Sequence, residues 1–310
     1  MTVLRPLRVL CFVLVAFAAI AGTLLDEAPA RPREERAGYR VVEADLHVHT
    51  RFSDGLLTPC DLAILARRRG LDVIAVTEHN TVFPAYFTRA CASLIEGAPA
   101  IIIGEEITTR GAHLLALGLE RSVDARLPLA ESIAEAKRQG ALVIAAHPTE
   151  RFYAALDPVC GELDGVEIMH PLAYRGSSPI GSYAEIRAFA DRCPSARTLI
   201  GNSDYHGGSV LGLVRTFVFV DGDSDAAFID ALRRGRSVSF DPDGVGLGPP
   251  ELVKALTDEP LADRGVRYDY QPNSVVDRVT RLLGFAGLLG IVALRPKSAT
   301  ALRPRSARAT

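Results

Sequence analysis

The stretch Asp45-Leu46-His47-Val48-His49-Thr50, continued by Ser53-Asp54-Gly55, decides how the rest of the chain is read. It overlaps the end of a β-like run, Tyr39–Leu46. Residues i and i+2 of a strand project from one face, so His47 and His49 can bind a single ion. The pattern recurs down the chain. Thr77-Glu78-His79-Asn80 follows the strand-like Asp72–Val76, and Gly104-Glu105-Glu106-Ile107 ends the run Ala100–Ile107. His113 follows and opens the run His113–Leu119. Ala146-His147-Pro148 follows Ala141–Ala145, His170 ends Gly165–Met169, and Asn202-Ser203-Asp204-Tyr205-His206 follows Thr198–Ile200. By the same alternation Asp204 and His206 share a side, and Tyr205 turns away.

Helical patterns sit between these runs: Pro59–Arg69 with Thr58 as N-cap, Leu129–Gln139 stopped by Gly140, Ser182–Arg192 and Asp225–Arg234, with a further strand at Thr216–Val220. Repeated β-then-α order predicts an α/β domain with a parallel sheet, open or closed into a barrel. Barrels of this kind carry their chemistry at the C-terminal ends of strands, where nearly all seven histidines fall. Imidazole and carboxylate together form the ligand set of zinc, manganese or iron, and a carboxylate can bridge two ions.

These motifs resemble those of the PHP (polymerase and histidinol phosphatase) superfamily. D-L-H-x-H-T-x-x-S-D-G spans Asp45–Gly55, and T-E-H-N at 77–80, G-x-E at 104–106, A-H-P at 146–148 and S-D-x-H at 203–206 follow in order. The likeness covers about residues 42–240. It implies a distorted (β/α)7 barrel holding two or three divalent ions, zinc, manganese or iron. On the family pattern His47, His49, Glu106 and Asp204 would hold one ion. Glu106 would bridge to a second, held also by His113 and His147. Asp54, His79 and His206 would hold a third. Glu106 is preferred to Glu105 on the G-x-E spacing, and alternation would turn Glu105 away. T-E-H-N-T and G-E-E-I-T-T, followed by H-L-L-A-L-G-L, look like the carbaryl-hydrolase-like branch.

The resemblance implies a metal-dependent hydrolase. Paired ions lower the pKa of a bridging water and so provide hydroxide near neutral pH. The expected substrate is a phosphate ester, either a phosphomonoester or a short nucleotide, cleaved in phosphatase or 5′-3′ exonuclease fashion. A carboxyl or carbamate ester is the alternative, and a membrane-tethered metal-binding module without turnover is the reading from another class. His79 and His206 are the candidate acids for the leaving oxygen. Arg51 and Arg175, with Arg151 behind them, are candidates to hold an anionic group. A formal net charge of −2 provides no basic field, so long nucleic acid is not an expected partner.

Both chain ends read differently from the middle. Arg5 and Arg8 precede an uncharged run, Val9–Leu25, which is the pattern of an export signal or anchor, with Ala28-Pro29-Ala30 as a candidate cleavage site. Leu282–Leu294 is uncharged and is followed by Arg295, Lys297, Arg303, Arg305 and Arg308. At about 20 Å it falls short of a bilayer core of about 30 Å. Glycines 284, 287 and 290 would let it approach the N-terminal helix closely. The expected organisation is an N-terminal signal or anchor with linker (1–39), a metallohydrolase domain (40–245), a linker (246–278) and a C-terminal apolar segment with basic tail (279–310). The positive-inside rule places the domain on the non-cytoplasmic side. Of the five cysteines, Cys60, Cys91, Cys160 and Cys193 read as core residues, with one disulfide allowed in an exported protein.

Overall fold

The computed structural model describes residues 4–24, 33–171, 181–259, 261 and 275–294. It divides into two compact units, Met1–Glu27 with Tyr268–Thr310, and Ala28–Arg267.

In the first unit, helix α1 (Leu4–Leu24) includes a stretch, Leu4–Gly22, that is long and apolar enough to cross a membrane. It packs along the C-terminal helix Val275–Ala293, whose shorter apolar part is Val279–Ala293. Glycines set the approach. A Cβ on Gly287 would lie 2.7 Å from the Cys11 carbonyl oxygen, and one on Gly284 would lie 2.7 Å from the Ala18 Cβ. The basic residues 295–308 and the candidate cleavage site at 28–30 lie outside the described residues.

The second unit is built on one sheet. Its strands are β1 (Glu34–Arg36), β2 (Tyr39–Val48), β3 (Val73–Val76), β4 (Ala100–Thr108), β5 (His113–Leu117), β6 (Leu142–Ala145), β7 (Gly165–Met169), β8 (Thr198–Gly201), β9 (Thr216–Val220), β10 (Ser237–Phe240) and β11 (Gly246–Leu247). They lie in the order β11-β10-β9-β2-β3-β4-β5-β6-β7-β8, with β1 added to β2. The far ends of this path meet. Ser237 Oγ of β10 donates to the Leu199 carbonyl of β8 at 2.8 Å, and Gly201 N donates to Thr216 Oγ1 at 2.9 Å. The sheet is thus a nearly closed, barrel-like α/β architecture.

The parallel sheet expected from the β-α alternation forms only in part. β2, β3 and β4 pair in parallel, as do β6, β7 and β8, but β5 is antiparallel to both neighbours and β9 is antiparallel to β2. The reason at β5 is chain length. Only residues 109–112 separate it from β4, enough for a hairpin and far short of the dozen residues a parallel crossover needs.

Helices α2 (Pro59–Arg68), α3 (Phe83–Ala92), α4 (Leu129–Arg138), α5 (Glu150–Leu156), α6 (Tyr183–Arg192), α7 (Asp225–Arg233) and α8 (Pro250–Thr257) complete the unit. Their starts follow local chemistry. Thr58 caps α2 with Pro59 at its first position, Ser182 and Glu185 form a capping box on α6, and Ser224 caps α7. One apolar layer joins strand residues such as Ile74, Val76, Leu114 and Val143 to the helices. A second comes mostly from the other strand face, including Val73, Ala75, Leu115 and Ile144, and is completed by Phe228, Ile229 and Leu232 of α7. β11 and α8 occupy part of the stretch whose composition suggests a linker. Leu252 and Leu256 of α8 bury against Val41, Phe219 and Val238.

The cysteines are the clearest departure from expectation. Cys60 of α2 is bonded to Cys91 of α3, and Cys160 to Cys193 at the end of α6; only Cys11 is free. Cys91 and Cys193 are buried, as core residues would be, with Cys193 in the main apolar layer, but all four also form bonds that tie helical segments together.

Candidate metal centre

The strands bring the histidines and acids to one end of the barrel. His47 lies in β2, and His49 lies just beyond it. His79, His147, His170 and Asp204 follow β3, β6, β7 and β8, while Glu106 sits near the end of β4. His113 reaches the same end from the start of β5, because that strand runs the other way. Register shifts interrupt β2 between Asp45 and Val48, and the β7–β8 ladder between Glu167 and Met169. Such irregularities re-aim side chains, and both occur here beside the histidines.

Among the described residues, three groups of atoms lie close enough to hold an ion: His47, His49 and Asp204; His47, Glu106 and His147; and His49, Asp54, His79 and His206. In the first, His47 Nε2 and His49 Nε2 lie 3.1 and 3.2 Å from Asp204 Oδ1, and both lie 3.4 Å from Glu106 Oε2. The two imidazole nitrogens and Asp204 Oδ1 are buried and have no hydrogen-bond partner. Leaving three such atoms unpaired around one point is costly unless something positive sits between them, so the donor set fits a divalent cation.

Glu106 is central. Its Oε1 lies 2.7 Å from His113 Nδ1 and 3.1 Å from His147 Nε2, while its Oε2 faces His47, His49 and, at 2.9 Å, His79 Nδ1. The two oxygens thus look toward different imidazoles, the geometry a bridging carboxylate requires. Glu105 turns to the opposite face, where it accepts from Val123 N at 3.1 Å. The third group is the most open. Asp54 Oδ2 is 3.4 Å from His79 Nε2, and Asp54 Oδ1 is 3.2 Å from His206 Nε2. Strand alternation does not govern Asp204 and His206, which lie beyond the end of β8 on irregular chain. They join different groups accordingly.

The charge balance points the same way. Burial opposes charge on His47, but the carboxylates of Asp204, Glu167 and Glu106 outweigh it and raise its pKa well above the usual imidazole range. Burial also works against ionised Glu106 and Asp204, yet the surrounding imidazoles, His47 foremost, hold both well below the usual carboxylate range. The carboxylates are therefore kept anionic in a site that favours positive charge. On the open side, hydrogen bonding to Glu106 raises His79. Burial lowers His49.

Further buried groups position these ligands, and Glu167 is the one that no sequence motif marks. Glu167 of β7 is fully buried; it accepts from His47 Nδ1 at 3.0 Å, His147 N at 2.7 Å and Asn202 Nδ2 at 3.0 Å. Holding the Nδ1 proton of His47 leaves Nε2 free to face the centre. Asn202 in turn accepts from Leu46 N at 2.8 Å, and Asp45 accepts from Ser203 N and Gly212 N at 3.0 and 2.9 Å. Glu78 accepts from Thr50 N at 2.7 Å and from Ser53 Oγ. His170 Nε2 lies 2.9 Å from Asp204 Oδ2, the oxygen turned away from His47. Asn80, His147 and Asp204 are non-glycine residues at positive φ, of 57°, 28° and 46°. Such backbone persists where its surroundings hold it, as Glu167 does at His147. Of the arginines, Arg51 is exposed beside the Ser53–Asp54 loop, Arg151 stacks 4.4 Å over Phe152 next to His113, and Arg175 lies outside the described residues.

Comparison with known proteins bears on the family and the fold. The PHP domain family matches residues 45–120. An uncharacterised protein of Methanocaldococcus jannaschii is 32% identical over 142 residues, covering 42% of this chain and 82% of that one. A 5′-3′ exoribonuclease of Haemophilus influenzae is 34% identical over 82 residues, covering 25% of this chain and 29% of the relative. Among solved structures, a two-domain protein of Bacteroides vulgatus, described as containing a predicted PHP-like metal-dependent phosphoesterase, superimposes with a TM-score of 0.58. It is 24% identical and covers 74% of each chain, a likeness of fold. With the family motif on the strands that carry the ligand atoms, and a relative matched over most of its length, the chain belongs to the PHP-domain family.

Proposed function

We propose that the chain is a metal-dependent hydrolase that cleaves phosphate esters of small molecules or short nucleotides. The observation that carries this reading is the convergence of His47 Nε2, His49 Nε2 and Asp204 Oδ1, buried and unpaired, beside a two-faced Glu106. His47, His49, Glu106 and Asp204 would hold one ion, Glu106, His113 and His147 a second, where His47 also lies within reach, and Asp54, His79 and His206 a third, with His49 close enough to contribute. Bound zinc, manganese or iron would supply Lewis acidity, activating water near neutral pH and offsetting charge on the substrate oxygens.

The chain's own residues do the rest. Glu167 and His170 orient His47 and Asp204. His79 and His206 lie on the open side, part-exposed; with two ions bound and the third site empty, either can pass a proton to a departing oxygen. Arg51, and Arg151 over the Phe152 ring, are candidates to attract an anionic group. A carbaryl-hydrolase-like preference for carboxyl or carbamate esters is the second reading, supported by the T-E-H-N-T and G-E-E-I-T-T motifs.

We also place the domain on the non-cytoplasmic side of a membrane. Two disulfides in the barrel unit suit an oxidising compartment, and α1 with Arg5 and Arg8 near its start suits a signal or anchor.

The test is turnover of 4-nitrophenyl phosphate, bis(4-nitrophenyl) phosphate and 4-nitrophenyl acetate by the manganese- or zinc-loaded chain, with His47→Ala as blank. Metal-dependent phosphate turnover, lost by at least about a hundredfold in the blank, is expected. Turnover of the acetate alone would move the assignment to carboxyl esters, and equal rates in parent and blank would remove it.

A further inference from the structure

Beside the open group of ligands lies an apolar surface that the metal chemistry does not use. Phe52, Leu56, Phe83 and Phe87 are 49%, 71%, 61% and 44% exposed. The rings form a cluster: Phe52 meets Phe83 edge-on at 5.8 Å between centroids and Phe87 at 6.3 Å. Phe83 and Phe87 are one turn apart on α3, so they share a helix face.

The cluster is continuous with the candidate metal centre through the chain itself. Phe52 is two residues before Asp54, and its neighbour Ser53 bonds to Asp54 and Glu78. Leu56 N donates to the His206 carbonyl at 3.0 Å, and its side chain fills the space a Cβ on Gly207 would occupy. Phe83 begins the helix that follows the His79 loop. Asp54 is thus flanked by Phe52 and by Leu56, which lies against the backbone of His206 and Gly207, and Phe83 follows His79 by four residues. Arg51 stands next to Phe52 as an exposed cation. Water-exposed aromatic rings gathered at the rim of a polar site mark a place where something apolar binds.

We propose that this surface is a subsite for an apolar, preferably aromatic, group carried by the substrate next to its scissile ester. The proposal rests on the metal-dependent hydrolase reading above and adds the class of group that accompanies the ester. The substrate would then be an anionic or ester head with a hydrophobic substituent, rather than a sugar phosphate or another wholly polar ester.

Phenylphosphonate and methylphosphonate test this on the full-length, manganese-loaded chain by calorimetry. They share a head group that imitates both a phosphate and the tetrahedral stage of carboxyl ester cleavage, so the result does not depend on which ester is native. Phenylphosphonate is expected to bind at least about tenfold tighter, and the phenyl-to-methyl ratio is expected to fall toward one in Phe52→Ala and in Phe83→Ala. Both substitutions are at exposed positions, and melting temperature and metal content serve as folding controls. Metal-dependent binding of both phosphonates with equal affinity would overturn the subsite and leave the hydrolase reading standing. Equal affinity together with a dimer that dissociates in Phe83→Ala would overturn it in favour of self-association. Metal-dependent binding of neither phosphonate would remove the subsite together with the hydrolase reading on which it rests.

Discussion

Glu167 holds three donors at once, and two of them belong to candidate ligands. Replacing it by glutamine keeps the volume but puts an N–H where one acceptor stood. The expected result for Glu167→Gln is a tenfold to hundredfold loss of manganese affinity by calorimetry, with the fold retained; unchanged affinity would show that His47 and His147 are positioned without it. Glu105 gives a different signal. Burial pushes its pKa up to about 7 from an ordinary 4.5. Because the folded value is raised, its contribution to stability is fully present below pH 4.5 and is lost as pH rises through about 7. Glu105→Gln, which still accepts from Val123 N, should therefore gain about 2 to 3 kcal/mol on the parent between pH 5 and pH 8.5 in urea unfolding. A constant difference across that range would contradict the assignment. At this scale the candidate ligands were legible, because each stands in a motif next to a strand-like run. Glu167 was not. It sits inside the short run Gly165–Met169, and nothing in its spacing reveals that β7 places it behind His47.

Helix pairing carries the second kind of consequence. Cys60–Cys91 ties α2 to α3, and Cys160–Cys193 ties the segment after α5 to the end of α6, closing loops of 31 and 33 residues. Each is expected to stabilise the unit by about 2–4 kcal/mol. Maleimide labelling of the denatured, unreduced chain should therefore modify Cys11 alone, and reduction should expose the other four; labelling of all five before reduction would refute the pairing. The cysteine spacing did not announce these bonds, since partners on different helices are set by packing and not by sequence separation. Other elements escaped for local reasons. α3 holds three aromatic residues among its first five and has no side-chain cap at its start, so no start signal marks it in the sequence, although Pro84 is at home in its first turn. α8 starts at Pro249-Pro250 inside a Gly- and Pro-rich stretch, yet its leucines close a small core against β2, β9 and β10. By contrast β7 and β9 match the predicted limits at both ends: β9 is a run of β-branched and aromatic residues, and β7 is short and bounded by Asp164 and His170.

The whole chain combines a barrel unit, which carries every described candidate ligand, with a helical unit formed by its two ends. The barrel was legible as α/β alternation, while its mixed strand directions depended on loop lengths and its near closure on contacts between β8 and β10. The apolar ends were legible by composition alone. If α1 anchors the protein, the full-length chain should remain in the membrane fraction after alkaline carbonate extraction, and a chain starting at residue 33 should be released; release of both would leave α1 as a cleaved signal. The central claim, that the buried imidazoles and carboxylates at the barrel's end exist to hold divalent ions, is tested most directly by metal content. Elemental analysis of the purified full-length chain should find about two or more equivalents of manganese, zinc or iron, falling by at least about one equivalent in His47→Ala and in Asp204→Asn. A folded chain that binds none of these ions after loading, or variants that bind as much as the parent, would contradict it.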